Sequence, residues 1–204
     1  MQNERVQEMT FFAMFIALIA TMAMIPNIGF LVWIPGFGGT TLHIPVIIAV
    51  LYGGTRFGKG TRHGGLKYGI VFGLVFGIFS MIVAFQFGVV VFQNPFVAIV
   101  PRILFGAATW YIYQGMKHLF NERVVYVPLT FLLATLAHTV IVIGAVILSA
   151  GFYREMIGDF ANVLIGVMPI NGSIEIALAV LVGGGVTVRL LASEFFNPPA
   201  TEDE

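Results

Sequence analysis

Long apolar runs alternate with short polar or glycine-rich segments along this chain, and six such runs can be distinguished. A helix that crosses a membrane needs about 20 largely apolar residues. The pattern therefore predicts an all-α integral membrane protein, a single membrane domain over residues 1–204 that folds as a six-transmembrane-helix bundle. The second run is short for a membrane span. The predicted helices cover about residues 10–25, 43–53, 65–84, 95–116, 126–150 and 168–192.

The segment between the first two helices, residues 26–42, has a different character. It reads PNIGFLVWIPGFGGTTL and is too rich in glycine and proline for a regular helix. Its aromatic residues, Phe30, Trp33 and Phe37, are typical of an interfacial segment. We therefore expect a lid-like loop here.

The composition excludes a soluble domain. The chain is 58% hydrophobic and only 10% charged, whereas soluble domains carry about 25% charged residues. It has no cysteine, so a disulfide, a thiolate nucleophile and a cysteine metal site are excluded. The N-terminal sequence MQNERVQEMT has no small-residue cleavage signature, and we expect the first apolar run to remain as helix one.

The distribution of lysine and arginine predicts the orientation in the membrane. An even number of spans places both termini on one side, and basic residues concentrate on the cytoplasmic side. The opposite side would carry only Arg102 and Arg154. We therefore expect cytoplasmic N- and C-termini, on the side that carries Arg5, Arg56, Lys59, Arg62, Lys67, Lys117, Arg123 and Arg189.

A few polar residues interrupt the apolar runs. Arg102 is the most informative, because a charged side chain at bilayer depth costs about 3 kcal/mol on insertion scales. Such a residue usually faces an aqueous cavity, a carboxylate or an anionic ligand. In the predicted topology, polar residues from different helices converge on the outer half of the bundle. They are Arg102, His43, Asn94, Asn171 and Glu175, with His138 near the middle of helix five.

Each of these residues has two interpretations. Arg102 either forms an internal ion pair with Glu175 or binds a ligand carboxylate or phosphate through its bidentate fork. His43 either lines a pocket or is a satisfied core histidine. For His138 we expect packing with one internal hydrogen bond. Asn171 and Glu175 lie one turn apart and offer hydrogen-bonding groups to a ligand, or serve as a helix cap and a structural pair.

Small residues recur at helical spacing on two predicted helices. Glycine occupies every fourth position from 65 to 77, which allows another backbone to approach closely. We expect this face to pack inside the bundle. Ala13 and Ala17 repeat the pattern on helix one, where internal packing and a partner surface remain equally open.

Catalytic and metal-binding motifs are missing from the sequence. The histidines and acids have no metal-ligand spacing, so we expect neither a metal nor another cofactor. The basic segment GGTRFGKGTRHGG lacks the P-loop pattern GxxxxGK[ST], so no ATPase activity is expected of the chain itself. We do not expect an enzyme.

Three segments carry a resemblance to a known family: TTLHIPVIIAVLYG (residues 40–53), GLVFGIFS (73–80) and NPFVAIVPRILFGAATWYIY (94–113). They resemble the substrate-binding S components of energy-coupling factor vitamin transporters. The LHIPVII and PRILFG segments are most similar to the pantothenate type. The resemblance implies a high-affinity vitamin-binding subunit in the plasma membrane of a prokaryote. Its partners would be a transmembrane coupling protein and two cytoplasmic ATPases.

The resemblance also implies roles for individual residues. Ala13 and Ala17 match the alanine-rich face of helix one that contacts the coupling protein, and the stretch from Trp33 to Gly39 matches the lid. Arg102 is expected to hold the carboxylate of pantothenate. The remaining expected substrate-binding residues, for the amide, the hydroxyls and the closure of the site, are His43, Asn94, Asn171, Glu175, Trp33 and Thr41.

Two other classes of function are alternatives to a vitamin-binding subunit. A stand-alone carrier, proton-coupled through Glu175 and His138, would transport without partners. An intramembrane enzyme would use the same histidines and acid for acid–base chemistry, although no nucleophile motif supports it. Within the family, biotin and riboflavin are alternative vitamins.

Overall fold

The computed structural model describes residues 2–25, 27–34, 37–59, 61–149 and 172–193. Within these ranges the chain is largely helical, and one β hairpin joins the first two helices. Strand β1 is Phe30–Ile34 and strand β2 is Phe37–Thr40. The helices are α1 (Gln2–Met24), α2 (His43–Arg56), α3 (Leu66–Phe87), α4 (Pro95–Leu119), α5 (Arg123–Leu148) and α6 (Gly172–Ala192).

Five of these helices, all except α2, are long and apolar enough to cross a membrane. The expectation of a helical membrane protein is confirmed at this level. The remaining helix, α2, has 14 residues, and most of its side chains are buried among the other helices. A helix of that length is typical of a buried core element. It carries His43 as its first residue, so the core of the bundle positions this histidine.

Helix α1 begins well before the predicted residue 10, because its polar first turns are anchored to α3. The carboxylate of Glu8 accepts hydrogen bonds from Lys67 Nζ at 2.8 Å and from the Tyr68 hydroxyl at 2.6 Å. Further along, Phe11 and Phe15 are buried and turn one face of α1 towards α2 and α3. The opposite face of α1 is exposed.

The glycine-rich face of α3 packs against α4, as the spacing predicts. A Cβ atom added at Gly69 would lie 2.3 Å from the carbonyl oxygen of Gly106. At Gly73 it would lie 2.3 Å from the carbonyl oxygen of Arg102. Close approach of two helix backbones through small residues maximises van der Waals contact in a membrane. The contact also places the backbone of Arg102 directly against α3.

The segment predicted as a lid-like loop is the antiparallel hairpin of β1 and β2. Phe30 pairs with Thr40 and Leu31 with Gly39. The base of the hairpin is closed by the Thr40 hydroxyl, which donates to the Gly29 carbonyl at 3.0 Å, and by the Thr41 N–H, which donates to the same oxygen at 3.0 Å. Aromatic and β-branched residues in FLVWI favour a strand, and strand pairing satisfies the backbone groups that a loop would leave open.

Candidate functional site

The polar residues of the apolar helices gather at the end of the bundle that carries the hairpin. His43 starts α2 directly after the hairpin, and Glu175 lies in the first turn of α6. Arg102 lies near the start of α4, beyond the short helical turn Pro95–Ala98. The elements that carry these three residues therefore place them at one end of the bundle, as expected for them.

Two buried histidines form the centre of this site. The rings of His43 and His138 stack with their centroids 5.7 Å apart and an interplanar angle of 15°. Both nitrogens of His43 and Nε2 of His138 are buried and have no hydrogen-bond partner among the described residues. Two aromatic rings pack against His138, whose ring centroid lies 5.5 Å from that of Phe76 and 4.9 Å from that of Phe105.

The expected packing of His138 inside the bundle is confirmed, whereas its stacking on His43 was not predicted. Its ring is packed among aromatic residues, but Nε2 has no partner in the described part of the chain. Thr135, three residues earlier on α5, is also buried and its hydroxyl also lacks a partner there. The sequence could have indicated that Thr135 belongs with His138, because residues three apart share a helix face.

Arg102 is buried, with 4% of its surface exposed, and makes no ion pair with Glu175. Its Nη1 donates to the carbonyl oxygen of Val97 at 2.7 Å. The guanidinium lies between two aromatic rings, 5.6 Å from the centroid of Phe76 and 5.0 Å from that of Phe92. These cation–π contacts stabilise the charge. Its Nε atom has no partner among the described residues.

The buried polar atoms without a partner thus belong to three neighbouring helices, α2, α4 and α5. A buried donor or acceptor that is left unsatisfied costs about 1–3 kcal/mol. Such groups in a native structure therefore call for a functional explanation. In the part of the chain that the structure describes, they are His43 Nδ1 and Nε2, Arg102 Nε, Thr135 Oγ1 and His138 Nε2. One fixed cation beside neutral hydrogen-bonding groups suits a small anionic, polar molecule.

Glu175 joins α6 to the hairpin instead of pairing with the arginine. Its Oε1 accepts a hydrogen bond from the Thr40 N–H at 2.7 Å, at a buried position. The contact is close, since a Cβ atom at Gly39 would lie 2.6 Å from the same oxygen. Glu175 therefore ties the hairpin to the end of the bundle that contains the histidine pair.

Two other expected site residues are engaged in local hydrogen bonds. Asn94 caps the start of α4, where its Oδ1 accepts from the N–H of Phe96 at 2.9 Å. The Thr41 hydroxyl donates to the carbonyl oxygen of Ile28 at the base of the hairpin. Neither side chain belongs to the set of unpartnered polar atoms.

The remaining predicted residues lie in three places. Trp33 belongs to strand β1, but its side chain and the whole of Asn171 lie outside what the structure describes. Ala13 and Ala17 are exposed on the outer face of α1, while Phe11 and Phe15 face inward. Across the described ranges, no group of three histidines and acids has the arrangement of a metal site.

Comparison with known proteins identifies no family. The chain matches no protein-family model, and no curated protein matches it at a significant level.

Proposed function

We propose that this chain is the substrate-binding subunit of an ATP-driven vitamin importer of the energy-coupling factor type, with pantothenate as the favoured vitamin. The chain crosses the plasma membrane of a prokaryote six times, through its five long helices and once through the short α2 that is buried among them. Both termini lie in the cytoplasm, and ATP is hydrolysed by separate partner subunits. One observation carries the proposal: His43, Arg102, Thr135 and His138 have buried polar atoms without a hydrogen-bond partner among the described residues.

The chemistry of pantothenate suits this set of side chains. The molecule has one carboxylate, one amide, two hydroxyls and a geminal dimethyl group. Arg102 binds the carboxylate through charge-assisted hydrogen bonds. The two imidazoles and the Thr135 hydroxyl serve the amide and the hydroxyls. Phe76 and Phe105, whose rings contact His138, pack against the methyl groups.

The hairpin acts as the lid of the site. It directly precedes His43, and the carboxylate of Glu175 accepts a hydrogen bond from its backbone at Thr40. We expect a ligand to reach the histidine pair from this end of the bundle, past the hairpin. We expect the bond between Glu175 and Thr40 to hold the lid while the vitamin is bound.

The outer face of α1 is the surface that meets the coupling protein. In the family that the sequence resembles, an alanine-rich face of helix one has this role. Ala13 and Ala17 are exposed side by side on successive turns, so a partner helix can approach the backbone of α1 closely there.

Titration calorimetry of the purified, ligand-stripped chain tests the proposal directly. Pantothenate, biotin and riboflavin are titrated separately into the folded protein. We expect tight one-to-one binding of pantothenate and none of the other two. Tight binding of biotin or riboflavin instead would retain the subunit and replace the vitamin. A folded chain that binds none of the three would contradict the proposal.

A stand-alone carrier is the competing function, because the buried histidine pair and Glu175 could pass protons. Uptake of radiolabelled pantothenate into liposomes that contain this chain alone distinguishes the two. We expect binding without net uptake, with and without a pH gradient. Uptake driven by the pH gradient would show that no ATPase partner is required.

A further inference from the structure

A second polar site lies at the opposite end of the bundle from the histidine pair. A cavity of about 550 Å³ opens where α2, α4 and α6 end and α5 begins. The residues that line it come from these four helices and the connection between α4 and α5. They are Thr55, Arg56, Tyr113, Lys117, Asn121, Arg123, Tyr126 and Leu191.

The lining is strongly basic. Arg56, Lys117 and Arg123 contribute three cations, and none of the described residues that line the cavity is acidic. One cation is fixed in place, since Arg123 Nη1 donates to the carbonyl oxygen of Leu191 at 2.5 Å. Three neutral hydroxyls, of Thr55, Tyr113 and Tyr126, also line the cavity, and the oxygens of Thr55 and Tyr113 are 3.3 Å apart. The part of the lining that the structure describes therefore presents only cationic and neutral hydrogen-bonding groups.

The helix dipoles at this end of the bundle do not cancel the positive charge of the basic side chains. The C-terminus of a helix carries about −0.5 elementary charge, so the ends of α2, α4 and α6 together contribute about −1.5. The three basic side chains supply a formal charge of +3. The N-terminus of α5 adds about +0.5. A net positive potential remains in the cavity, which favours an anion with more than one acceptor oxygen.

We propose that this cavity binds the phosphate group of an anionic membrane lipid. Guanidinium groups match phosphate oxygens in bidentate geometry, and lysine adds a mobile point charge. Basic pockets between membrane-spanning helices on the cytoplasmic side bind anionic lipid headgroups. The cavity is formed by the ends of such helices and contains residues that the positive-inside pattern assigns to the cytoplasm. This site is separate from the vitamin site and does not depend on the identity of the vitamin.

Native mass spectrometry of the purified full chain with added lipid tests the proposal. The chain is mixed with phosphatidylglycerol, or with zwitterionic phosphatidylcholine of the same acyl chains, and the lipid that remains bound is measured. We expect selective retention of phosphatidylglycerol. Each basic residue near a lipid surface changes affinity about fivefold, so the double variant Arg56→Gln/Lys117→Gln is expected to bind it about 30-fold more weakly.

The matched control is the double variant Lys59→Gln/Arg62→Gln, which also removes two positive charges, from exposed positions that do not line the cavity. We expect it to retain the lipid, and circular dichroism of both double variants shows that they are folded. Equal loss in the control, or retention in Arg56→Gln/Lys117→Gln, would overturn the proposal.

A parallel titration with glycerol 3-phosphate distinguishes a lipid from a soluble phosphate ester. We expect the soluble compound to bind weakly and not to displace phosphatidylglycerol. Tight binding of glycerol 3-phosphate that is lost in the double variant would assign the cavity to a soluble phosphate ester and overturn the lipid assignment. Absence of binding by both compounds would overturn the site itself.

Discussion

His43, the first residue of α2, stacks on His138 from the middle of α5, with ring centroids 5.7 Å apart. The two rings do not satisfy each other's hydrogen-bonding groups, because parallel stacked imidazoles do not hydrogen-bond to each other. Three of their nitrogens have no partner among the described residues. The pair therefore joins two helices while it leaves polar atoms unsatisfied, which costs free energy of folding. This arrangement is expected of ligand-binding side chains rather than of packing alone.

Replacement of His138 by phenylalanine separates the binding role from the packing role. We expect His138→Phe to weaken pantothenate binding about tenfold, the effect of one lost hydrogen bond. The thermal unfolding temperature is expected to stay the same or rise, because an apolar ring of similar shape removes a buried, unpartnered nitrogen. Calorimetry and thermal unfolding measure the two effects.

The matched control for this variant is His63→Phe. His63 is exposed and lies 3.2 Å from the Tyr111 hydroxyl, away from the histidine pair. Its replacement should leave the affinity unchanged. A His138→Phe protein with normal affinity and lower stability would show that His138 is a packing residue.

The charge of Arg102 is expected to select an anionic ligand. We expect Arg102→Ala to weaken pantothenate binding by about 10- to 150-fold, the loss of a hydrogen bond to a charged group. The protein should remain folded, because the arginine has no carboxylate partner among the described residues that would be left unpaired. Calorimetry gives the affinity, and circular dichroism gives the helical content.

A neutral ligand makes this prediction specific. The primary amide of pantothenate lacks the carboxylate charge, so it should bind the wild type and Arg102→Ala with similar, weak affinity. If the amide lost as much affinity as pantothenate does, or if pantothenate lost none, Arg102 would not contact the carboxylate.

The hydrogen bond between Glu175 and the Thr40 N–H predicts how the hairpin responds to substitution. Glu175→Gln keeps a carbonyl oxygen that accepts this bond, whereas Glu175→Ala removes it. We expect amide exchange at Thr40 to accelerate about tenfold or more in the alanine variant and only slightly in the glutamine variant. Pantothenate should also dissociate faster from the alanine variant. An unchanged exchange rate in Glu175→Ala would exclude a role in holding the hairpin.

Local and periodic features of the fold could be predicted from the sequence, and side-chain pairing across the fold could not. The apolar runs predict the helices, and glycine at every fourth position predicts the face of α3 that meets α4. Both features depend on residues near each other in the chain. The partner of Glu175 is Thr40, which is remote in sequence. The composition does not indicate whether Glu175 pairs with Thr40 or with Arg102. For the same reason, the stacking of His138 on His43 could not be predicted.

The contact of Gly73 with the backbone of Arg102 predicts a coupled loss of stability and affinity. A Cβ at Gly73 would lie 2.3 Å from the Arg102 carbonyl oxygen, and backbone cannot move aside as a side chain can. We expect Gly73→Ala to lower the free energy of unfolding by about 1–3 kcal/mol. Displacement of Arg102 should weaken pantothenate binding as well.

Gly115 on the same helix as Arg102 provides the control. A Cβ there would meet nothing within 4 Å, and alanine is favoured over glycine in a helix by about 1 kcal/mol. Gly115→Ala should therefore be as stable as the wild type or slightly more stable. Equal effects of the two substitutions in thermal unfolding would show that close packing of α3 on α4 is not the cause.

The exposed alanines of α1 test the proposed assembly without disturbing the vitamin site. Ala13→Trp and Ala17→Trp place a large ring on the outer face of α1. Both positions are exposed, so the larger side chain does not disturb packing within the bundle. We expect pantothenate affinity to be unchanged and co-purification with the coupling protein and its ATPases to be lost. Leu104→Trp, at an exposed position of α4, should assemble normally. Normal assembly of both alanine variants would assign this face of α1 to lipid and require another surface for the partner.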